Sequence, residues 1–218
     1  LASTLGKRQT VMLSDSYVHG ASSASLLGQT LGANFDSAAE RWGDREALVV
    51  RHQNLRWSYN DLKMRVDAFA AGLLSLGLEP GDRIGIWSQN NSEWVVTQYA
   101  TAKIGLILVN INPAYRVLEL EYAINKVGCR ALILSEKFKS SNYIDMLKEL
   151  APSLTKSRPG KLDSDRLVTL SHVIQIGGKI ASGCFDFSEV IEMASDDDNE
   201  RVEQLASRLQ FDDPINIQ

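Results

Sequence analysis

The chain has 218 residues, of which 44% are hydrophobic and 23% charged, a composition typical of a folded globular domain. Its net charge of −4 argues against a nucleic-acid-binding surface, which is normally strongly basic. No stretch approaches the roughly 18 consecutive apolar residues that a membrane-spanning helix needs, so no transmembrane helix is predicted.

Residues 1–27 show no sustained hydrophobic periodicity and are predicted to form an extended lead-in to a domain over residues 28–218. Residues 1–20 carry a basic pair, Lys7 and Arg8, among hydroxylic residues. Two interpretations stay open for this stretch, the tail of a transit peptide and a loose start with no targeting role.

Helices and strands alternate over the next 120 or so residues, because apolar residues spaced every three or four positions predict helices and short β-branched runs predict strands. The predicted helices cover about 31–42, 62–74, 92–105, 116–127 and 138–150. The predicted strands cover 46–51, 55–58, 83–87, 106–111 and 130–134. Thr30 is interpreted as an N-cap, Ser92 with Asn90 and Asn91 as the cap of the helix from 92, and Gly128 as a helix end. This alternation predicts an α/β fold with a largely parallel sheet.

The last third of the chain is predicted to add less regular structure. Residues 151–166 are rich in Pro, Ser and Lys and indicate a surface loop, and His172–Ile176 indicates a further strand. Two short helices are predicted over 186–194 and 199–209, before a strand that begins within 212–218. The acidic run between these helices suggests either a cation site or a solvated helix boundary, and we favour the boundary; it comprises Asp196, Asp197 and Asp198.

General catalytic signatures are scarce. Cys129 and Cys184 form no C-x-x-C pair and are interpreted as isolated thiols, while His19, His52 and His172 lack metal-ligand spacing. The sequence contains no Walker phosphate loop, dinucleotide fingerprint, nucleophile elbow or H-E-x-x-H helix. Residue chemistry alone therefore indicates an α/β domain and no reaction.

Four segments together carry a resemblance to a known family. They are Asp44–Val49 with Trp57–Leu62, Gly72–Ile84, Ala102–Tyr115 and Asp213–Gln218. Their order resembles the opening third of the adenylate-forming superfamily, which includes acyl-CoA synthetases, luciferases and peptide-synthetase adenylation domains. The resemblance implies an incomplete N-terminal part of the family's large AMP-binding domain, ending before its Ser/Thr/Gly-rich phosphate loop. Ser16–Gly20 and Asn112–Tyr115 resemble the mitochondrial medium-chain members most.

This resemblance implies a parent enzyme that joins a fatty acid to CoA. In the family, the carboxylate attacks the α-phosphate of ATP-Mg to give acyl-AMP, and the CoA thiol then displaces AMP. ATP, Mg and CoA are thus implied for the parent and none is expected for this chain alone, which is predicted to be inactive. No catalytic, cofactor-binding or metal-binding residue is carried over, because no position here matches the family's. A mitochondrial matrix location is implied in the same way.

The matching motifs are interpreted as scaffold. Tyr59 and Leu62 are predicted to anchor a helix on the sheet, and Pro113 to set a turn after a buried strand. Lys103 has two interpretations, a lysine facing a ligand and, preferred here, a lysine whose ammonium reaches solvent at a helix end.

Two other hypotheses belong to different classes of function. One is a non-catalytic interaction module or short form derived from such a ligase, and the other is an unrelated small-ligand α/β binding domain. Self-association through exposed sheet edges is also predicted.

Overall fold

The computed structural model of the chain describes Gly20 and residues 23–218. The transit-peptide interpretation, the resemblance over residues 16–19 and the histidine at position 19 all lie outside the described residues. Residues 23–30 contain neither helix nor strand. The boundary drawn between residues 27 and 28 stays a prediction.

The described residues contain seven α-helices and ten strands, numbered here in chain order. The helices are α1 (Leu31–Trp42), α2 (Tyr59–Ser75), α3 (Ser92–Lys103), α4 (Val117–Val127), α5 (Tyr143–Leu150), α6 (Phe187–Glu192) and α7 (Asp196–Ala206). The strands are β1 (Glu46–Val50), β2 (Leu55–Ser58), β3 (Arg83–Trp87), β4 (Ile107–Asn110), β5 (Cys129–Ser135), β6 (Lys137–Phe138), β7 (Ser141–Asn142), β8 (His172–Ile176), β9 (Phe185–Asp186) and β10 (Asn216–Ile217). None of these helices has the length and apolar character needed to cross a bilayer.

Six strands form a central sheet in the order β10-β4-β3-β5-β8-β9, and every neighbouring pair is parallel. The predicted α/β fold with a parallel sheet is therefore confirmed. Strands β1 and β2 form a separate antiparallel hairpin, and Asn54 adopts φ 53° in its turn.

Both faces of the sheet are covered by helices, so alternate residues of each strand enter different cores. In β5, Ala131 and Ile133 pack with α1, α2, α3, α6 and α7, whereas Leu132 and Leu134 pack with α4 and α5. This two-sided burial explains why the central strands read as continuous apolar runs. It also confirms the apolar stripe predicted for α2, whose Leu62 is only 3% exposed.

Most helices begin and end at capping residues that are recognisable in the sequence. Ser58 and Asp61 form a capping box at the start of α2, and the hydrogen bonds from the Ser58 backbone and hydroxyl lower the pKa of the Asp61 carboxyl. Gly128 ends α4 in the left-handed region at φ 66°. At α3, Asn91 is the N-cap among the three residues predicted to cap this helix, and Ser92 is its first helical residue.

The predicted helix over 138–150 is wrong in its first third. Residues 137–142 form the short β6–β7 hairpin, with Lys139 at φ 52°, and α5 begins only at Tyr143 after the Asn142 cap. Lysine is uncommon in the left-handed region, so the sequence carries no turn signal there.

The boundary predicted around the acidic run is also corrected. Asp196, Asp197 and Asp198 form the first turn of α7, which Ser195 caps, so the helix starts three residues earlier than predicted. Carboxylates are favourable in this position because the N-terminal end of a helix carries partial positive charge. The segment predicted as a surface loop over 151–166 is only partly so, since it contains a short 3-10 turn and buries Leu154.

His172 links the start of β8 to the end of α2 from a buried position. Its Nε2 donates to the Leu76 carbonyl at 3.1 Å. Burial lowers the pKa of the imidazole, the Leu76 hydrogen bond opposes this, Arg130 and Lys161 lower the pKa further, and Asp82 raises it. The neutral imidazole is thus the form that the fold favours.

We expect this histidine to make the fold less stable in mild acid. Its stabilising effect is complete above the ordinary histidine pKa of about 6.5 and is lost as the pH falls through the lower folded-state value, with a slope of up to ~1.4 kcal/mol per pH unit. Urea unfolding of the chain from pH 8 to pH 5 measures this slope. His172→Gln should flatten it, whereas His52→Gln, at an exposed position, should leave it unchanged. An identical slope in wild type and His172→Gln would contradict the assignment.

Candidate functional site

The carboxyl ends of the parallel strands define the candidate site. Strand β3 is followed in the chain by β4 on one side of it and by β5 on the other. The connection that leaves β3 runs to β4, and the connection that leaves β5 runs to β8 in the opposite direction along the sheet, so the two diverge at the carboxyl ends of β3 and β5. We call this switch point the crevice. In open α/β sheets, ligands bind at such a switch point.

A buried polar network lines this crevice. The Ser88 hydroxyl, just after β3, lies 2.6 Å from the Ser135 hydroxyl at the end of β5. Asn91 donates from Nδ2 to Ser88 Oγ at 2.9 Å, and its Oδ1 accepts the Trp94 backbone N–H at 2.8 Å. Asn91 thus joins the crevice to the start of α3, whose N-terminal end favours negative charge.

A fourth polar side chain lies at the same edge of the sheet, at the end of the neighbouring strand β4. Asn110 ends β4 two residues after Leu108, which places it on the same face as Ser88 and Ser135. Its Oδ1 and the Oε1 of Gln89 are buried without a hydrogen-bond partner among the described residues. Three neighbouring strands therefore end in short polar residues at one edge, which contrasts with their apolar interiors.

Two connections form a rim beside the crevice, which we define as residues 112–116 after β4 and 137–142 after β5. Arg116 joins them by donating from Nη1 to Ser141 Oγ at 2.7 Å. Arg116, Lys137 and Lys139 are exposed on this rim. The rim therefore presents positive charge at the edge of the sheet where ligands of open α/β folds bind, and this charge suits a phosphate-bearing ligand.

A separate charged cluster lies between α1, α2 and α3 and contains Lys103. Lys103 Nζ lies 2.8 Å from Asp36 Oδ1 and 2.5 Å from Asp67 Oδ1. Lys63 pairs with the same two carboxylates, at 3.2 Å from Asp36. The four side chains, which we call the ion ring, tie α1, α2 and α3 together under α7 and line a cleft of about 390 Å³.

The ion ring corrects the preferred interpretation of Lys103. Its side chain is only 6% exposed and does not reach solvent, because two carboxylates from other helices satisfy its charge inside the protein. Opposite charges balance within the ring, so it offers no net charge to a ligand.

The other residues singled out from the sequence hold the scaffold. Leu62 is buried, Tyr59 packs at the edge of the same core, and Pro113 lies in the turn after β4, so the predicted placements are confirmed. Cys129 and Cys184 are free and buried, and burial raises the pKa of their thiols to about 12 and about 11. Within residues 23–218, no group of three His, Cys, Asp or Glu side chains is placed to hold a metal.

Comparison with known proteins identifies the family to which this architecture belongs. The sequence profile described as "AMP-binding enzyme" matches residues 35–216. The chain belongs to the AMP-binding enzyme family. The family region thus includes the crevice, the rim and the ion ring.

Relatives within the family are acyl-CoA ligases. The mitochondrial medium-chain acyl-CoA ligase of Bos taurus is 44% identical over 204 residues, which cover 93% of this chain and 33% of the bovine protein. The Homo sapiens protein of the same name is 42% identical over 206 residues, again 93% of this chain and 33% of the relative. The chain spans about a third of the length of these relatives.

Solved structures show the same fold. An anthranilate CoA ligase in complex with anthranoyl-AMP superposes with a TM-score of 0.65 at 18% identity, over 78% of this chain and 29% of that one. A long-chain-fatty-acid-CoA ligase from Archaeoglobus fulgidus gives a TM-score of 0.62 at 22% identity, over 83% and 33%. The resemblance stated from the four sequence segments is therefore confirmed at the level of family and fold.

Sequence reasoning assigned no site residue: Ser88 and Ser135 were not singled out, and Asn91 and Asn110 were interpreted only as part of a helix cap and of a family motif. A usable signal was present for Ser88 and Ser135, since each directly follows a predicted strand with a short polar side chain. The sequence does not give the strand order, however, and without it the two strands that flank the crevice cannot be identified.

Proposed function

We propose that this chain forms the first part of an AMP-forming acyl-CoA ligase, in which a carboxylate reacts with ATP to give acyl-AMP and CoA then displaces AMP. The observation that carries the proposal is the 44% identity to the bovine medium-chain ligase over 93% of this chain. The crevice between β3 and β5 and its basic rim support it, because ATP and CoA both carry phosphates.

The contribution of these residues is to bind and orient. Arg116, Lys137 and Lys139 would offset phosphate charge at the rim, and the α3 N-terminus favours an anion near Asn91. Transfer at the α-phosphate needs further donors aimed at its oxygens. We propose that segments outside this chain supply them, so that the chain alone is inactive and binds no nucleotide. The described residues do not fit a magnesium site, and no step through the metal is assigned to them.

The acyl chain and the location in the cell follow from the relatives. We propose a medium-chain fatty acid as the carboxylate and the mitochondrial matrix as the compartment, because the bovine and human relatives are mitochondrial medium-chain ligases. The domain boundary at residue 28 and the absence of catalytic residues from this chain belong to the same proposal.

A chimaera tests whether the chain works as this part of a ligase. Here the chain replaces the matching segment of the bovine ligase, and acyl-CoA formation from octanoate, ATP and CoA is measured. We expect activity within about ten-fold of the bovine enzyme, given similar cores and the family fold. The control is a chimaera carrying Asn91→Leu, which removes the link between the crevice and α3. A soluble, folded but inactive unsubstituted chimaera would refute the proposal.

Calorimetric titration of the 218-residue chain tests the proposal that the chain alone binds no nucleotide. The titrants are ATP-Mg and a non-hydrolysable acyl-AMP analogue. No heat of binding is expected. Binding in the micromolar range would show a complete nucleotide site in this chain and would favour an independent binding module over an incomplete ligase.

A further inference from the structure

Two aromatic side chains beneath the rim hold consecutive carbonyls of its first segment. Trp87, the last residue of β3, donates from Nε1 to the Asn112 carbonyl at 3.2 Å. Tyr143, the first residue of α5, donates from its hydroxyl to the Pro113 carbonyl at 2.6 Å. The two rings stack with centroids 3.7 Å apart and an interplanar angle of 17°. We call this pair the aromatic clamp.

The clamp is a fixed part of the core. Trp87 and Tyr143 are both fully buried. Burial raises the pKa of the Tyr143 hydroxyl to about 12, so it remains a donor throughout the neutral range. The turn above is closed by its own hydrogen bonds as well, from the Ala114 and Tyr115 backbone N–H groups to Asn112.

The indole N–H of Trp87 and the hydroxyl of Tyr143 donate hydrogen bonds that apolar side chains of similar size could not. Phenylalanine or leucine would fill the same space, but only a side-chain donor can fix where a neighbouring carbonyl points. Fixing the carbonyls of Asn112 and Pro113 sets the path of the turn that continues into Arg116. Arg116 in turn bonds Ser141, so the clamp governs the geometry of both segments of the rim.

Binding sites depend on this kind of support, because a displacement of about 1 Å in a supporting segment lowers catalysis by up to about 100-fold. We propose that Trp87 and Tyr143 are positioning residues that fix the rim for the phosphate-bearing substrates, ATP or CoA. The proposal rests on the proposed ligase function. It extends that function by naming the substrates that the rim binds and the two residues that fix the position of the rim.

The kinetic test uses Tyr143→Phe in the active chimaera, which keeps the ring and removes one oxygen. We expect KM to rise about ten-fold for CoA, for ATP or for both, while kcat stays within about two-fold and KM for the fatty acid is unchanged. Separate titrations of CoA and ATP distinguish the two sources of phosphate. The matched control is Tyr99→Phe, which removes the same atom from a ring that stacks on Phe35 instead.

Three outcomes would overturn the proposal: unchanged KM values, a loss confined to kcat, or equal effects in the Tyr99→Phe control. A loss of stability alone would lower the active fraction and hence the apparent kcat for all substrates, without selecting the phosphate-bearing ones. Trp87→Phe provides a second variant, and it should affect the same KM values.

A measurement without catalysis separates this proposal from the ligase function. In the 218-residue chain, Tyr143→Phe should speed hydrogen exchange of the Ala114 and Tyr115 amides at least about ten-fold relative to the α2 amides. Unchanged exchange would show that the hydroxyl does not hold the turn. If exchange is faster but the unsubstituted chimaera is inactive, the ligase function is refuted, and with it the assignment of the rim to ATP or CoA. The role of the aromatic clamp in holding the turn would still be supported.

Discussion

Replacing Gly72 by alanine is expected to destabilise the fold by about 3 kcal/mol, although this substitution inside a helix normally stabilises it by up to ~1 kcal/mol. Gly72 lies within α2, where α6 crosses. A Cβ atom there would lie 1.9 Å from the Val190 carbonyl oxygen and 2.8 Å from its carbonyl carbon. Because these are backbone atoms, no rotamer change relieves the overlap, and α6 has to move away.

Moving α6 would also separate the aromatic rings that join the two helices. Phe69 and Phe187 stack with centroids 4.1 Å apart, and both are buried in the core between α2 and the sheet. The cost of the substitution therefore includes lost packing as well as the overlap itself, which places it at the upper end of the usual range for overpacked cores.

Urea unfolding of Gly72→Ala, compared with wild type, measures the effect as a shift in the transition midpoint. Gly32→Ala is the control, since Gly32 is also buried in a helix but its Cβ would lie 3.3 Å from the nearest atoms of Lys103. That variant should remain within about 1 kcal/mol of wild type. A Gly72→Ala protein as stable as wild type would show that α6 is not held at this distance.

The contact at Gly72 shows where sequence reasoning stops. Hydrophobic periodicity identified the apolar stripe of α2 and the strands β3, β4 and β5, because each pattern is local and the central strands are buried on both faces. A glycine inside that helix has no local explanation. Its reason lies in the carbonyl of Val190, 118 positions further along the chain, and no local pattern reports such a distance.

The candidate site was hidden for the same reason. Ser88 and Ser135 are 47 residues apart and meet only because β5 lies next to β3. The β6–β7 hairpin was missed for a different reason. The apolar spacing of Tyr143, Leu147 and Leu150 is helical but does not mark where the helix begins, and the residue at positive φ is Lys139, which gives no turn signal.

The environment of Lys103 was also hidden from the sequence, because its partners Asp36 and Asp67 lie on other helices. Its replacement should cause the second large loss of stability. Lys103→Met keeps the aliphatic stem and removes the ammonium that Asp36 and Asp67 share. Breaking a buried ion pair costs roughly 3–5 kcal/mol. Here we expect about 2–3 kcal/mol, because both carboxylates stay about a third exposed and keep Lys63 as a partner.

The two lysines of the ion ring should differ in their effect. Lys63→Met is the control, since its side chain is 33% exposed against 6% for Lys103, and we expect a loss of about 1 kcal/mol or less. Burial opposes the charge of Lys63, but the hydrogen bonds and charges of Asp67 and Asp36 outweigh it and raise its pKa. Its contribution is therefore complete at any pH below the ordinary lysine value of about 10.4 and is lost only in stronger alkali.

A double variant separates the charge of Lys103 from the hydrogen bonds that its ammonium donates. In Lys103→Met with Asp67→Asn, the ring keeps one ammonium, Lys63, and one carboxylate, Asp36, so charge balance returns. We expect urea unfolding to show recovery of about half the loss caused by Lys103→Met alone, because the two sites share partners and their effects do not add. If the double variant is instead less stable than Lys103→Met, uncompensated carboxylate charge is not what destabilises the single variant, and the loss comes from the hydrogen bonds that the Lys103 ammonium donates to Asp36 and Asp67.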